Sequence, residues 1–157
     1  MQKITPFLWF NDNAEEAMNL YTSLFENAKV KNVSRYGDAG PGLKGSVMTA
    51  TFELDGQEFM VLNGGPMYSF TPAISMFVKC KDQAEVDYFW NALGAGGRFD
   101  QCGWLQDKFG LSWQIIPDIL GELLGDKDRG KANRAMQAML KMKKIDVEGL
   151  KRAAEQA

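Results

Sequence analysis

Asn13-Ala-Glu-Glu16-Ala-Met-Asn-Leu-Tyr21-Thr-Ser-Leu24 and Asp82-Gln-Ala-Glu85-Val-Asp-Tyr-Phe-Trp90-Asn-Ala-Leu93 are the two stretches on which the fold turns. Each begins with a side chain able to cap a helix and carries a glutamate three residues later, the spacing of a capping box. Apolar residues then recur at helical spacing: Ala14, Ala17, Met18, Tyr21 and Leu24 in the first, Val86, Phe89, Trp90 and Leu93 in the second. Such spacing gathers them on one face of an amphipathic helix. At a constant offset of 69 residues, Leu20-Tyr21 matches Phe89-Trp90 and Leu24 matches Leu93. A single amphipathic helix is commonplace, whereas a matched pair marks an internal duplication.

Working outward from both helices gives the same plan twice. Residues 4–10 form a compact apolar run ahead of the first cap and read as a strand. Residues 30–36, 46–54 and 58–62 read as three more strands, the last two joined by Asp55-Gly56, a favoured hairpin turn. In the second half, residues 73–79 precede the cap, and short strands follow near 98–101, 104–109 and 112–116. The sequence therefore predicts an α+β protein of tandem strand–helix–strand–strand–strand units, at about 2–65 and 72–117. Each half alone is short of core, so residues 1–117 are expected to form a single domain. Residues 118–157 read as a helical C-terminal extension, with helices at 119–124, 127–143 and 147–156. Ala135, Met136, Met139, Leu140 and Met142 give the middle one an apolar side, suited to docking on the core or to contact with another chain.

Composition narrows the chemistry. The chain has 157 residues, 45% of them hydrophobic, and a net charge of −2, so it can bury a core and is not a general polyanion binder. It contains no histidine, which removes the commonest metal ligand, the usual general base near neutrality, and every Ser–His or Cys–His dyad. Two cysteines, Cys80 and Cys102, without a signal peptide predict a reduced, cytoplasmic protein. No apolar run is long enough for a membrane span, so no membrane partner is expected. Residues 126–157 hold nine basic and five acidic side chains. Their interleaving reads as a solvated helical face, and nucleic acid is not the expected partner.

The segment Cys102-Gly-Trp-Leu-Gln-Asp-Lys-Phe-Gly-Leu-Ser-Trp-Gln-Ile-Ile-Pro117, on the tandem plan, resembles the vicinal oxygen chelate superfamily of glyoxalase I, bleomycin-resistance proteins and extradiol dioxygenases. With Gly64-Gly-Pro66, Ala73-Ile-Ser75 and Val86-Asp87 it is similar to the PhnB-like branch, the "3-demethylubiquinone-9 3-methyltransferase" domain family. The resemblance implies the glyoxalase/bleomycin-resistance fold, curved mixed sheets around a cleft, and dimerisation, so a homodimer is expected. It also implies that metal-dependent members carry ligands on the first and last strands of each unit. Carried over, those positions fall on Pro6, Leu62, Ala73 and Gln114. Three of these have no side-chain donor and a glutamine is a weak neutral ligand, so no metal and no other cofactor is expected.

Strand parity then suggests the cleft lining. Pro6 brings Leu8 and Phe10, Leu62 brings Met60 and Gly64, Ala73 brings Ser75 and Phe77, and Gln114 brings Ser112 and Ile116. Leu8, Leu62, Ser75, Phe77, Ser112 and Gln114 are the expected ligand-binding residues, a mostly apolar set suited to a small, mostly apolar molecule. The methyltransferase label fits poorly, because the glycine-rich stretch 37–45 leads into a strand and offers no helix N-terminus to an adenosyl cofactor. That stretch reads as a connecting loop, long enough to act as a lid. Cys102, near Lys108, and Asp107 are the candidate catalytic groups; their plainer readings are a pocket-lining thiol and a surface ion pair of Asp107 with Lys108. The expected function is metal-free small-molecule binding. The alternative is an enzyme of unknown substrate (a lyase, a dioxygenase or a methyltransferase) working through Cys102 or Asp107.

Overall fold

The computed structural model describes residues 2–156. The first unit runs β1 (Phe7–Phe10), α1 (Ala14–Leu24), β2 (Lys29–Arg35), β3 (Val47–Leu54) and β4 (Gln57–Asn63). The second repeats it as β5 (Met76–Cys80), α2 (Gln83–Gly94), β6 (Arg98–Phe99), β7 (Trp104–Gln106) and β8 (Ser112–Pro117). Three helices follow: α3 (Asp118–Leu124), α4 (Arg129–Met139) and α5 (Val147–Glu155). The sheets are mixed, in the orders β1-β4-β3-β2 and β5-β8-β7-β6. In each, the first strand of the unit pairs parallel with the last. The fold is thus the tandem βαβββ arrangement of the α+β class. Among the described residues, no helix is long and apolar enough to cross a membrane.

The chain divides into two compact units between Phe70 and Thr71. In the first, the core lies between α1 and one face of the sheet. Tyr21 of α1 meets Phe52 of β3 with ring centroids 6.5 Å apart, and Phe52 stacks on Phe59 of β4 at 5.6 Å. Phe59 is in register with Phe52, so Phe59, Val61 and Asn63 share the helix-facing side. The parallel register sets Leu8 beside Val61 and Phe10 beside Asn63, which puts both on that side too, 6% and 2% exposed. Leu62 is in register with Trp9 and faces the other way. The expectation that Leu8 and Leu62 share one face is therefore corrected: they lie on opposite faces of the sheet.

A second correction concerns the first helix cap. Asn13 makes no side-chain cap bond. The N–H of Ala14 donates instead to Asn63 Oδ1 at 2.9 Å, from the end of β4. Asn63 Nδ2 donates to the carbonyl of Val47 at 3.0 Å, and the Tyr36 hydroxyl donates to the carbonyl of Asn63 at 2.7 Å. One buried asparagine thus ties β4 to α1, to β3 and to the end of β2. The equivalent cap in the second unit is local, as the spacing predicts. Asp82 Oδ1 accepts from the N–H of Glu85 at 3.0 Å, and Glu85 Oε1 accepts from the N–H of Lys81 at 3.0 Å. Asp55 and Gly56, at φ 50° and 81°, form the expected left-handed turn between β3 and β4.

In the second unit, Trp90 of α2 stacks on Phe99 at 4.8 Å. Register then carries the α2 face through Leu105, Trp113 and Ile115 to Val78 and Cys80. The three C-terminal helices belong to this unit. Ile116, Leu120, Ile145 and Leu150 form a buried cluster against which Met139 and Met142 pack. Of the apolar side read from sequence, only Met136 and Leu140 remain well exposed, at 40% and 57%.

Asn63→Ala removes an acceptor and a donor and leaves the N–H of Ala14 and the carbonyl of Val47 without them. We expect a loss of about 2–4 kcal/mol in urea unfolding, against about 1 kcal/mol for the Asp82→Ala cap variant.

A candidate ligand site on the second sheet

The face of the second sheet turned away from α2 carries the candidate site. Phe77 and Trp104 each stand in register with Gln114, one on either side of β8. Ile116 lies two residues further along the same strand and so on the same face. Cys102 precedes β7, and the helices that follow β8 add Leu120, Gly121 and Leu124 from α3 and Met139 from α4. Together these residues enclose a pocket of about 290 Å³. It falls just below the ~300–1,000 Å³ range of ligand clefts. None of the lining side chains is a carboxylate, an ammonium or a guanidinium. The side-chain amide of Gln114 is the principal polar group. Its Nε2 donates to Ser75 Oγ at 3.0 Å, which fixes the amide and turns Oε1 away from that bond.

Local geometry holds the rim. Cys102 and Gly103 are both in the left-handed region, at φ 61° and 83°. Their N–H groups donate to the carbonyls of Met142 at 2.7 Å and Lys143 at 2.8 Å, while Gly103 accepts from the N–H of Ile115 at 2.8 Å. A Cβ at position 103 would come within 2.8 Å of Ile116 and 3.0 Å of the Ile115 carbonyl, so only glycine lets this turn sit against β8. The turn bearing Cys102 is therefore stitched both to the sheet and to the chain after α4.

Of the residues expected from sequence, Phe77, Gln114 and Cys102 meet in this pocket, with Ser75 behind Gln114. Ser112 shares their face of β8 but is 1% exposed, and its hydroxyl has no hydrogen-bond partner among the described residues. Leu8 and Leu62 belong to the first unit and to opposite faces of its sheet, as described above. What sequence reasoning missed is the contribution of α3 and α4. Their apolar residues were legible, but nothing in their spacing says which surface they cover.

Asp107 is not a surface carboxylate. It is 2% exposed. Its Oδ1 accepts from the N–H of Phe109 at 2.9 Å and of Leu111 at 3.0 Å, and its Oδ2 accepts from Trp113 Nε1 at 2.9 Å. The carboxylate organises the turn into β8. Cys80, fully buried on the α2 side, has its thiol pushed up to about 12, first by burial and then by the nearby Glu85 and Asp118. It is unsuited to nucleophilic work near neutrality.

These features define the class: a tandem βαβββ protein of the glyoxalase/bleomycin-resistance fold, in the vicinal oxygen chelate superfamily. More particularly, the chain belongs to the family described as 3-demethylubiquinone-9 3-methyltransferase, the PhnB-like proteins, whose model matches residues 2–116. The PhnB protein of Bacillus cereus, carrying that same description, is 43% identical, over 74% of this chain and 99% of that one, with a TM-score of 0.71. A Pseudomonas aeruginosa protein at 22% identity has a TM-score of 0.63 over 74% of this chain and 98% of its own. FosX, a fosfomycin resistance protein of Listeria monocytogenes crystallised with Mn(II) and sulfate, shares the fold at 12% identity. Its TM-score is 0.51, with 72% of this chain and 89% of that chain covered. No curated protein matches the chain.

A metal of the superfamily kind does not fit the residues present. Pro6, Leu62 and Ala73 supply no side-chain donor, which leaves only the neutral amide oxygen of Gln114, a weak ligand by itself. Among the described residues, no group of three His, Cys, Asp or Glu side chains is placed to hold a metal ion. Two outcomes test this description. Cys102, at the pocket rim, is expected to react with a disulfide reagent in the native protein while Cys80 reacts only on unfolding. Because the Cys80 thiol is raised when folded, its contribution to stability is complete below about 9 and is lost as pH rises toward about 12. The alkaline loss of stability is expected to be shallower in Cys80→Ala.

Proposed function

We propose that this PhnB-like protein binds a small, mostly apolar molecule without a metal, and that the pocket on the second sheet is where it does so. The pocket itself carries this reading: apolar walls from Phe77, Trp104 and Ile116, and one oriented amide at Gln114. Such a combination favours shape-selective capture with one or two hydrogen bonds. It offers no acid–base pair, and the buried Asp107 is already committed to its own turn. The enzymatic alternative rests on Cys102 alone, whose place in the pocket lining keeps a covalent role open to test.

Two further parts of the reading concern setting. The free thiols of Cys80 and Cys102 suit a reducing, cytoplasmic environment. Met136 on α4 and Leu140 at its C-terminal cap, both left exposed, suit a homodimer contact.

An uncharged aromatic such as 1-naphthol is expected to raise the melting temperature, because a ligand bound only to the folded state stabilises it. Exhaustive dialysis against EDTA should leave that rise unchanged. A rise that vanishes on chelation and returns with Mn²⁺ or Zn²⁺ would contradict the metal-free reading.

A further inference from the structure

The family model ends at residue 116, yet the pocket does not. Four of the nine lining residues, Leu120, Gly121, Leu124 and Met139, come from the helices after β8. Leu120 is buried in the cluster that anchors those helices, and Leu124 and Met139 pack against the same cluster. Gly121 is exposed at the mouth, and a Cβ built on it meets nothing within 4 Å. A glycine in mid-helix lowers helix stability. At this lining position it puts no side chain beside the pocket, and a Cβ would have open space around it.

We infer that the C-terminal helices are the specificity wall of this pocket, that Gly121 keeps its mouth open, and that the wall selects an uncharged apolar ligand. The inference rests on the binding reading above and adds which part of the chain chooses the ligand, and of what kind. The chemistry follows from the lining. A carboxylate or an ammonium would lose its hydration and find no ion partner there. A flat or branched apolar body would meet Phe77, Trp104 and the thioether of Met139, a side chain that adapts to aromatic surfaces. One hydroxyl on that body could pair with Gln114.

The test uses the full-length chain and a matched pair of probes, 1-naphthol and 1-naphthoate, titrated by calorimetry at neutral pH. Wild type should bind naphthol at least about tenfold more tightly than naphthoate, a modest share of the cost of stripping water from a charge. Gly121→Phe should weaken naphthol binding by about tenfold or more without lowering the melting temperature, since the helix tolerates the change. If Gly121→Phe binds naphthol normally while Phe77→Ala does not, the helical wall is overturned and the binding reading survives. Equal affinity for naphthoate overturns the uncharged-ligand assignment. If wild type binds neither probe, the binding reading itself fails, and this inference falls with it.

Discussion

The parallel pairing of the first strand with the last in each unit decides where every functional side chain falls. Strand side chains alternate, so one register settles two faces at once. In the second unit, setting Val78 beside Ile115 sends Cys80, Trp113 and Leu105 toward α2. The same pairing leaves Phe77, Trp104, Gln114 and Ile116 on the opposite side. A sheet face with that much apolar surface needs cover, and the chain supplies part of it from its own C-terminal helices. The pocket is what remains between that face and α3 and α4.

Much of this was legible in the sequence. The helices announced themselves because two cap-and-face patterns recur at one offset, and Asp82 caps the N–H of Glu85 as predicted, while the Glu85 carboxylate takes the N–H of Lys81, one residue before the cap. The hairpin at Asp55-Gly56 was legible because only a few residue types accept two left-handed positions in succession. The first cap was not legible. Its acceptor, Asn63, lies 49 residues from Ala14, and no local spacing points to it.

The site was half legible, for a physical reason. Parity carries a facing side along a strand only if the starting residue is right. The helices match at an offset of 69, but Leu8 and Phe10 stand in register as Val78 and Cys80 do, an offset of 70. One residue gained between strand and helix reverses every side chain of β1 relative to an ungapped count. Leu8 falls on the face opposite to Leu62, whereas Phe77 and Gln114, in register across β5 and β8, share one face. Asp107 was misread for a different reason. Its neighbour Lys108 suggested solvent, but Trp113, six residues on, draws the carboxylate into the turn.

Where a ligand sits on this protein is the decisive question. The direct measurement is a backbone amide chemical-shift map of the full-length protein titrated with 1-naphthol. Saturable shifts are expected, clustered at Phe77, Cys102 to Trp104, Gln114 to Ile116 and Leu120 to Leu124. Shifts confined to residues 2–70, with those positions unmoved at saturation, would contradict a site in this pocket.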